Sequence, residues 1–212
     1  MFENITIIGC GLIGSSILRA IIKKKISKNI ICYDKSKEVL SFLKKENLGI
    51  ATSTDIILSV KDADLIIIST PLSAYKEILL SIKDNFKKNS ILTDTGSTKK
   101  EINKIIDNLN LKGISWIASH PIAGTEDSGP KAGFAELFEE RWCIVSPSVN
   151  AKKEDIQNIQ KFWEIIGSKV KLMSFEEHDH ILSLTSHLPH AIAYNIVRTA
   201  INNGNKFRQE VI

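Results

Sequence analysis

The sequence has no apolar run near the roughly 18 residues that a membrane-spanning helix needs, so no span is expected. Residues 1–8 are too few, and lack the basic start, for a secretory signal. The cytoplasm is the expected location. Cysteine is scarce. Cys10, Cys32 and Cys143 are widely spaced, odd in number and without CxxC spacing. Neither a disulfide framework nor a zinc knuckle is implied, and buried free thiols are expected. Charge of one sign is nowhere concentrated. The net +4 comes from scattered lysines, in pairs such as Lys87-Lys88, Lys99-Lys100 and Lys152-Lys153. A nucleic-acid binder would gather its cations on one face, often with aromatic residues between them. These pairs read instead as solvated faces, with no nucleic acid as partner. Repeats and low-complexity segments are absent too.

What is present is a chain of 212 residues, 43% hydrophobic and 25% charged, which suits a globular protein of one or two domains. Apolar runs alternate with helical patterns. Strands are predicted at 5–8, 30–33, 65–69, 90–94, 115–119, 143–146 and 169–173, with helices at 13–24, 37–46, 72–83, 99–109 and 154–166. The 65–69 run is apolar on both faces, as a parallel sheet requires. This order predicts an α/β fold, a doubly wound and mostly parallel Rossmann-type sheet. The pattern changes at Ser174, a candidate helix cap with Glu176 and Glu177 in the following turn. Only helix-like sequence follows, with Gly204 as a plausible stop. The division predicted is a dinucleotide-binding domain at 1–173 and the start of an all-helical domain at 174–212. The chain closes on the apolar pair Val211-Ile212, so a truncated chain is expected.

Gly9-Cys10-Gly11-Leu12-Ile13-Gly14 is GxGxxG between a predicted strand and a predicted helix. In that context it is a dinucleotide fingerprint. Gly9 permits the tight turn, Gly11 lets backbone approach a pyrophosphate, and Gly14 lets helix pack on strand. The helix N-terminus offers free N–H groups to the anion, with Leu12 and Ile13 in its first turn. Asp34 ends the second strand, 20 residues after Gly14. A carboxylate there accepts ribose hydroxyls and repels a 2′-phosphate, which favours NAD over NADP. Ligands in such sheets bind beyond the carboxyl ends of the strands, so Thr70, Pro71, Asp94 and Ser97 fall where a nicotinamide would lie. A turn or cap role is the alternative for each.

The next strand delivers Ser119-His120-Pro121 to the same rim. A neutral imidazole there could take a proton from a substrate hydroxyl as hydride leaves the same carbon. A second histidine group is Thr185-Ser186-His187-Leu188-Pro189-His190, in which His187 and His190 share a helix face. His178, Asp179 and His180 lie just upstream. These histidines could face substrate, pack structurally or bind metal. No metal is predicted, because no Cys or Glu ligand stands at a suitable spacing.

GCGLIGSS, Asp34, ISTP, TDTGSTK, SHPIAGTEDSG and TSHLPH, in this order, resemble the prephenate dehydrogenase family, arogenate and cyclohexadienyl dehydrogenases included. SHPIAGTE and SHLPH are the specific motifs. The resemblance implies NAD-dependent oxidative decarboxylation of prephenate to 4-hydroxyphenylpyruvate on the route to tyrosine. It implies that His120 assists deprotonation of the ring hydroxyl and that Ser97 orients His120 and the nicotinamide. It implies that His187 and His190 line the substrate pocket, His190 with a catalytic part, and that Thr125 and Glu126 edge it. It also implies a homodimer for the full-length protein. The family's later Gly-Gly-x-Arg/Lys-Asp stretch, whose cations bind substrate carboxylates, has no assigned counterpart here. Arg208 follows SHLPH too closely to be assigned, and the stretch is expected beyond Ile212. The 212 residues are therefore expected to bind NAD but to turn over prephenate poorly. The rivals are an arogenate dehydrogenase, another short hydroxy-acid dehydrogenase, and an NAD-binding module without turnover.

Overall fold

The computed structural model describes residues 2–111 and 113–203. One eight-stranded sheet runs through the molecule in the order β3-β2-β1-β4-β5-β6-β7-β8. Its first half is β1 (Asn4–Ile8), α1 (Leu12–Lys23), β2 (Asn29–Tyr33), α2 (Lys37–Lys45), β3 (Ala51–Ser53), α3 (Ile56–Val60) and β4 (Leu65–Ile68). A 3₁₀ turn at Leu72–Ala74 leads into α4 (Tyr75–Ile82), then β5 (Ser90–Asp94), α5 (Lys100–Leu109) and β6 (Ile114–Pro121). After a 3₁₀ turn at Pro130–Ala132 come β7 (Trp142–Pro147), α6 (Lys153–Ile165) and β8 (Lys169–Leu172). The first six strands are parallel; β7 runs antiparallel to β6, and β8 pairs parallel with β7. The predicted Rossmann-type sheet is the observed one, and its order reverses between β1 and β4, where dinucleotides bind in such folds.

Alternation explains why the central strands read as unbroken apolar runs. In β4, Leu65 and Ile67 join the core under α1 and α6, while Ile66 and Ile68 join the core under α4 and α5. All four are fully buried. A strand covered on both faces needs apolar side chains at every position.

The chain then becomes helical, as predicted from Ser174. Ser174 caps α7 (Phe175–Leu182) through a complete capping box with Glu177. A π-helical turn at Ser183–His187 follows, then α8 (Leu188–Asn203). Pro189 follows that turn as the second residue of α8. The stop at Gly204 and the Arg208 stretch lie outside the described residues.

Three local expectations need correction. The short β3 and α3 had no predicted counterpart. Lys99 is not part of a solvated face: it is completely buried. The strand predicted to end at Ser119 also runs further: β6 extends to Pro121, so His120 lies within it. His120 pairs with Ile144 and Pro121 with Cys143, and the Ile122 amide donates to the Trp142 carbonyl at 2.7 Å. The antiparallel partner β7 carries the strand two residues further than its apolar run.

Candidate active site

The Gly-rich turn is shaped by close approach on one side and open space on the other. Gly9 has φ +90°, and a Cβ there would come within 2.8 Å of the Ser69 carbonyl oxygen. A Cβ on Gly14 would overlap the Gly9 carbonyl oxygen. A Cβ on Gly11 would meet nothing within 4 Å. Gly11 is thus free toward the crevice, as a pyrophosphate-facing glycine must be. The α1 first turn carries no acidic residue to oppose an anion. Asp34 accepts from the Cys10 and Ser36 amides, each at 2.9 Å, which ties the end of β2 to the turn. Across the turn, Thr70 Oγ1 is buried with no partner among the described residues. An orphaned hydroxyl, an uncrowded glycine and a helix N-terminus fit a dinucleotide. Pro71 is exposed and precedes the 3₁₀ turn at Leu72–Ala74.

The second half of the crevice is built on a buried ion pair. Lys99 Nζ donates to both Asp94 carboxylate oxygens at 2.8 Å and to the Ser119 carbonyl at 2.6 Å. The Tyr75 hydroxyl and the Gly96 and Ser119 amides also donate to Asp94. This carboxylate is buried and has four donors, so Asp94 anchors the floor at the strand end where a nicotinamide is expected. Buried charges of this kind persist only when paired. Burial lowers the Lys99 ammonium below its ordinary value, and Asp94 opposes that. Ser119 is held further by Thr93 at 2.9 Å and by the Trp163 indole N–H at 3.0 Å.

On this floor stands His120. Its Nδ1 lies 2.8 Å from Nε2 of the fully buried His178, whose Nδ1 lies 2.8 Å from Asp179 Oδ1. The Lys99 and Lys100 amides, at the start of α5, donate to the two Asp179 oxygens at 2.8 and 3.0 Å. Burial, and then the Lys99 cation, His178 and His187, push His120 down to about 3. The ring is therefore neutral in ordinary buffers, and a neutral imidazole nitrogen is a proton acceptor.

The other predicted residues gather less tightly. His187 lies near enough to oppose charge on His120 and is half-buried, at the end of the π-helical turn. His190 is exposed on α8. Ser97 is exposed after β5, with no hydrogen bond to His120 among the described residues. Thr125 and Glu126 are exposed on the loop after β6, where Thr125 Oγ1 accepts from the Asp127 amide. Two residues of this floor were assigned no site role from the sequence. Lys99 had a signal, because a buried strand ending in Asp94 needs a cation nearby. His178 had one too: Phe175, His178 and Leu182 form one inward stripe at helical spacing. Among the described residues no group of three or more His, Cys, Asp or Glu could hold a metal.

Comparison with known proteins identifies this assembly. The family model for the prephenate dehydrogenase nucleotide-binding domain matches residues 17–172, and that for the prephenate dehydrogenase dimerization domain matches residues 174–211. The chain belongs to the prephenate dehydrogenase family. A cyclohexadienyl dehydrogenase of Zymomonas mobilis is 40% identical over 212 residues, all of this chain and 72% of that protein. The prephenate dehydrogenase of Bacillus subtilis is 30% identical over 208 residues, 98% of this chain and 56% of its own length. The crystal structure of Aquifex aeolicus prephenate dehydrogenase in complex with hydroxyphenyl propionate and NAD+ superposes with a TM-score of 0.87 at 29% identity. That match covers 95% of this chain and 70% of the other. The Gly-rich turn and the His120 floor both lie at carboxyl ends of parallel strands of the same sheet.

Proposed function

We propose that this chain is an NAD-dependent dehydrogenase that oxidises and decarboxylates prephenate to 4-hydroxyphenylpyruvate in tyrosine biosynthesis. The observation that carries the reading is His120. It is a neutral imidazole at the carboxyl end of β6, with no partner for Nε2 among the described residues, on the same edge of the parallel sheet as the dinucleotide turn.

The turn at Gly9–Gly14 and Asp34 would hold NAD, with Thr70 beside it. Bound NAD supplies the hydride acceptor. His120 Nε2 takes the ring hydroxyl proton as hydride leaves the same carbon. The ring ketone so formed receives the electron pair released when the ring carboxylate departs as CO2. Aromaticity is gained, and the phenolate oxygen takes its proton back from His120. Net loss is one hydride and one CO2, so the protein has mainly to position the substrate and lend one base. Ser97 is assigned to orient the nicotinamide side. His187, His190, Thr125 and Glu126 are assigned to the substrate side, His190 with a catalytic part.

A second copy of the chain is the partner we assign, supported by the dimerization-domain match and by the exposed apolar residues of α8. No helix among the described residues is long and apolar enough to cross a membrane. The cytoplasm is the assigned location. The domain division assigned is 1–173 and 174–212.

NADH formation with prephenate and with arogenate tests the reading. Turnover of prephenate is expected of the full-length protein and only poorly of these 212 residues; turnover of neither substrate by a longer chain sinks the reading. Arogenate remains the second reading because the Zymomonas relative is named for cyclohexadienyl substrates generally. The ratio of kcat/KM for the two substrates decides between them, and replacing NAD by NADP checks the role of Asp34.

A further inference from the structure

We infer that His178, oriented by Asp179, is a positioning residue that fixes the tautomer of His120 so that its Nε2 carries the lone pair. The inference rests on the proton-acceptor reading of His120 given above and adds what prepares that acceptor.

The argument runs inward from Asp179. An ionised carboxylate accepts hydrogen bonds and donates none. Asp179 takes two backbone amides, from Lys99 and Lys100, and one ring nitrogen of His178. Burial alone would raise its carboxyl; those amides and the His178 ring outweigh that and hold it below the usual range. His178 Nδ1 must therefore carry the hydrogen on that bond. Burial and the nearby Lys99 cation keep the His178 ring below its ordinary value despite Asp179, so it is neutral and has one hydrogen. Its Nε2 is then an acceptor. His120 Nδ1, 2.8 Å away, must be the donor. A neutral His120 with hydrogen on Nδ1 has its lone pair on Nε2. The alternative needs a protonated Asp179 or a charged His178, and the surroundings oppose both.

Lys99 links the two ends of this chain of bonds. Its amide holds Asp179, and its ammonium holds the Ser119 carbonyl, one residue before His120. The distance between the two rings is therefore set by α5 and the end of β6, not by the rings alone.

The ¹⁵N and ¹H correlations of the imidazole ring in the full chain at pH 7, assigned by comparison with His120→Asn, read the tautomer directly. The wild-type ring is expected as Nδ1–H with Nε2 bare. His178→Leu removes the acceptor. It is expected to shift His120 toward Nε2–H and to lower kcat by about 10²-fold or more, the ordinary worth of a positioned base. The KM for NAD should stay within about twofold, because the dinucleotide turn is untouched. His178→Gln offers a side-chain oxygen to the same Nδ1–H and is expected to keep the tautomer and most of kcat. A wild-type ring found as Nε2–H overturns the inference, and so does a His178→Leu protein with unchanged tautomer and kcat. If His178→Leu does not fold, the wild-type and His178→Gln spectra still decide. The spectra need no substrate. An Nδ1–H ring in a longer chain that turns over neither prephenate nor arogenate sinks the functional reading and leaves this one standing.

Discussion

The floor of the crevice and α8 are opposite solutions to burial. At the floor, Asp94, Lys99 and Ser119 are fully covered, and each has protein partners for its polar atoms. On α8, Leu188, Ile192, Tyr194, Ile196, Val197 and Ile201 are apolar, and each is more than half exposed. The floor keeps charge inside because every charge is answered within the chain. The helix leaves apolar surface outside, and a second copy of the chain is the cover we assign to it. Substitutions at the two places should therefore fail in different ways: chemistry and folding at the floor, association at the helix.

The largest effect should come from His120→Asn, at the top of the floor. It removes the proton acceptor we assign and leaves the Gly9–Gly14 turn untouched. The expected result is a fall in kcat of about 10²–10⁴-fold, with NAD affinity by calorimetry nearly unchanged. A variant that retains most of its kcat would show that His120 is not the base.

Next is Lys99→Met. It leaves the Asp94 carboxylate buried without its cation, a loss of about 3–5 kcal/mol when one partner of a buried pair is removed. Urea unfolding at pH 7 measures it. Asp94→Asn combined with Lys99→Met should recover part of that loss, because the stranded charge is gone. A single variant as stable as wild type would mean that the pair is not what holds the floor together.

How far these residues could be read from sequence differs between the regions. The central strands were legible because a two-sided core forces a continuous apolar run, as in Leu65–Ile68. The dinucleotide turn was legible because only glycine tolerates the approach of Gly14 to the Gly9 carbonyl. Short β3 has three residues, Ala51–Ser53, and no hydrophobic period to detect. Lys99 was hidden because a Lys-Lys pair looks solvated, while its burial depends on a strand end that is distant in the chain. The partnership of His120 with His178 joins residues 58 apart, and no local pattern encodes it.

A smaller effect follows from the same buried rings. In an unfolded chain a histidine titrates near 6.5, but His120 in the fold does so at about 3. Between those values the unfolded state binds a proton that the folded state does not. Stability is thus fully present above pH 6.5 and falls as the pH drops toward 3. The His178 shift has the same sign. The upper bound per ring is about 1.4 kcal/mol per pH unit, less whatever solvent relieves. Denaturation midpoints at pH 7, 6, 5 and 4 should decline, and the His120→Asn variant should decline less steeply. Equal slopes would place the acid sensitivity elsewhere.

The smallest effect on folding, and the clearest contrast, should come from α8. Ile192→Ser and Ile196→Ser change side chains that are 52% and 64% exposed. Surface changes of this kind move unfolding free energy by about 0.5 kcal/mol or less, so the Rossmann sheet should melt as before. Helices of this length are marginal in water without tertiary cover. If a second copy provides that cover, the double variant should shift sedimentation toward monomer and speed amide exchange in α8 while β5 and β6 stay protected. Unchanged association in that variant would mean that these two residues do not hold the copies together, and the contrast between floor and helix would then rest on exposure alone.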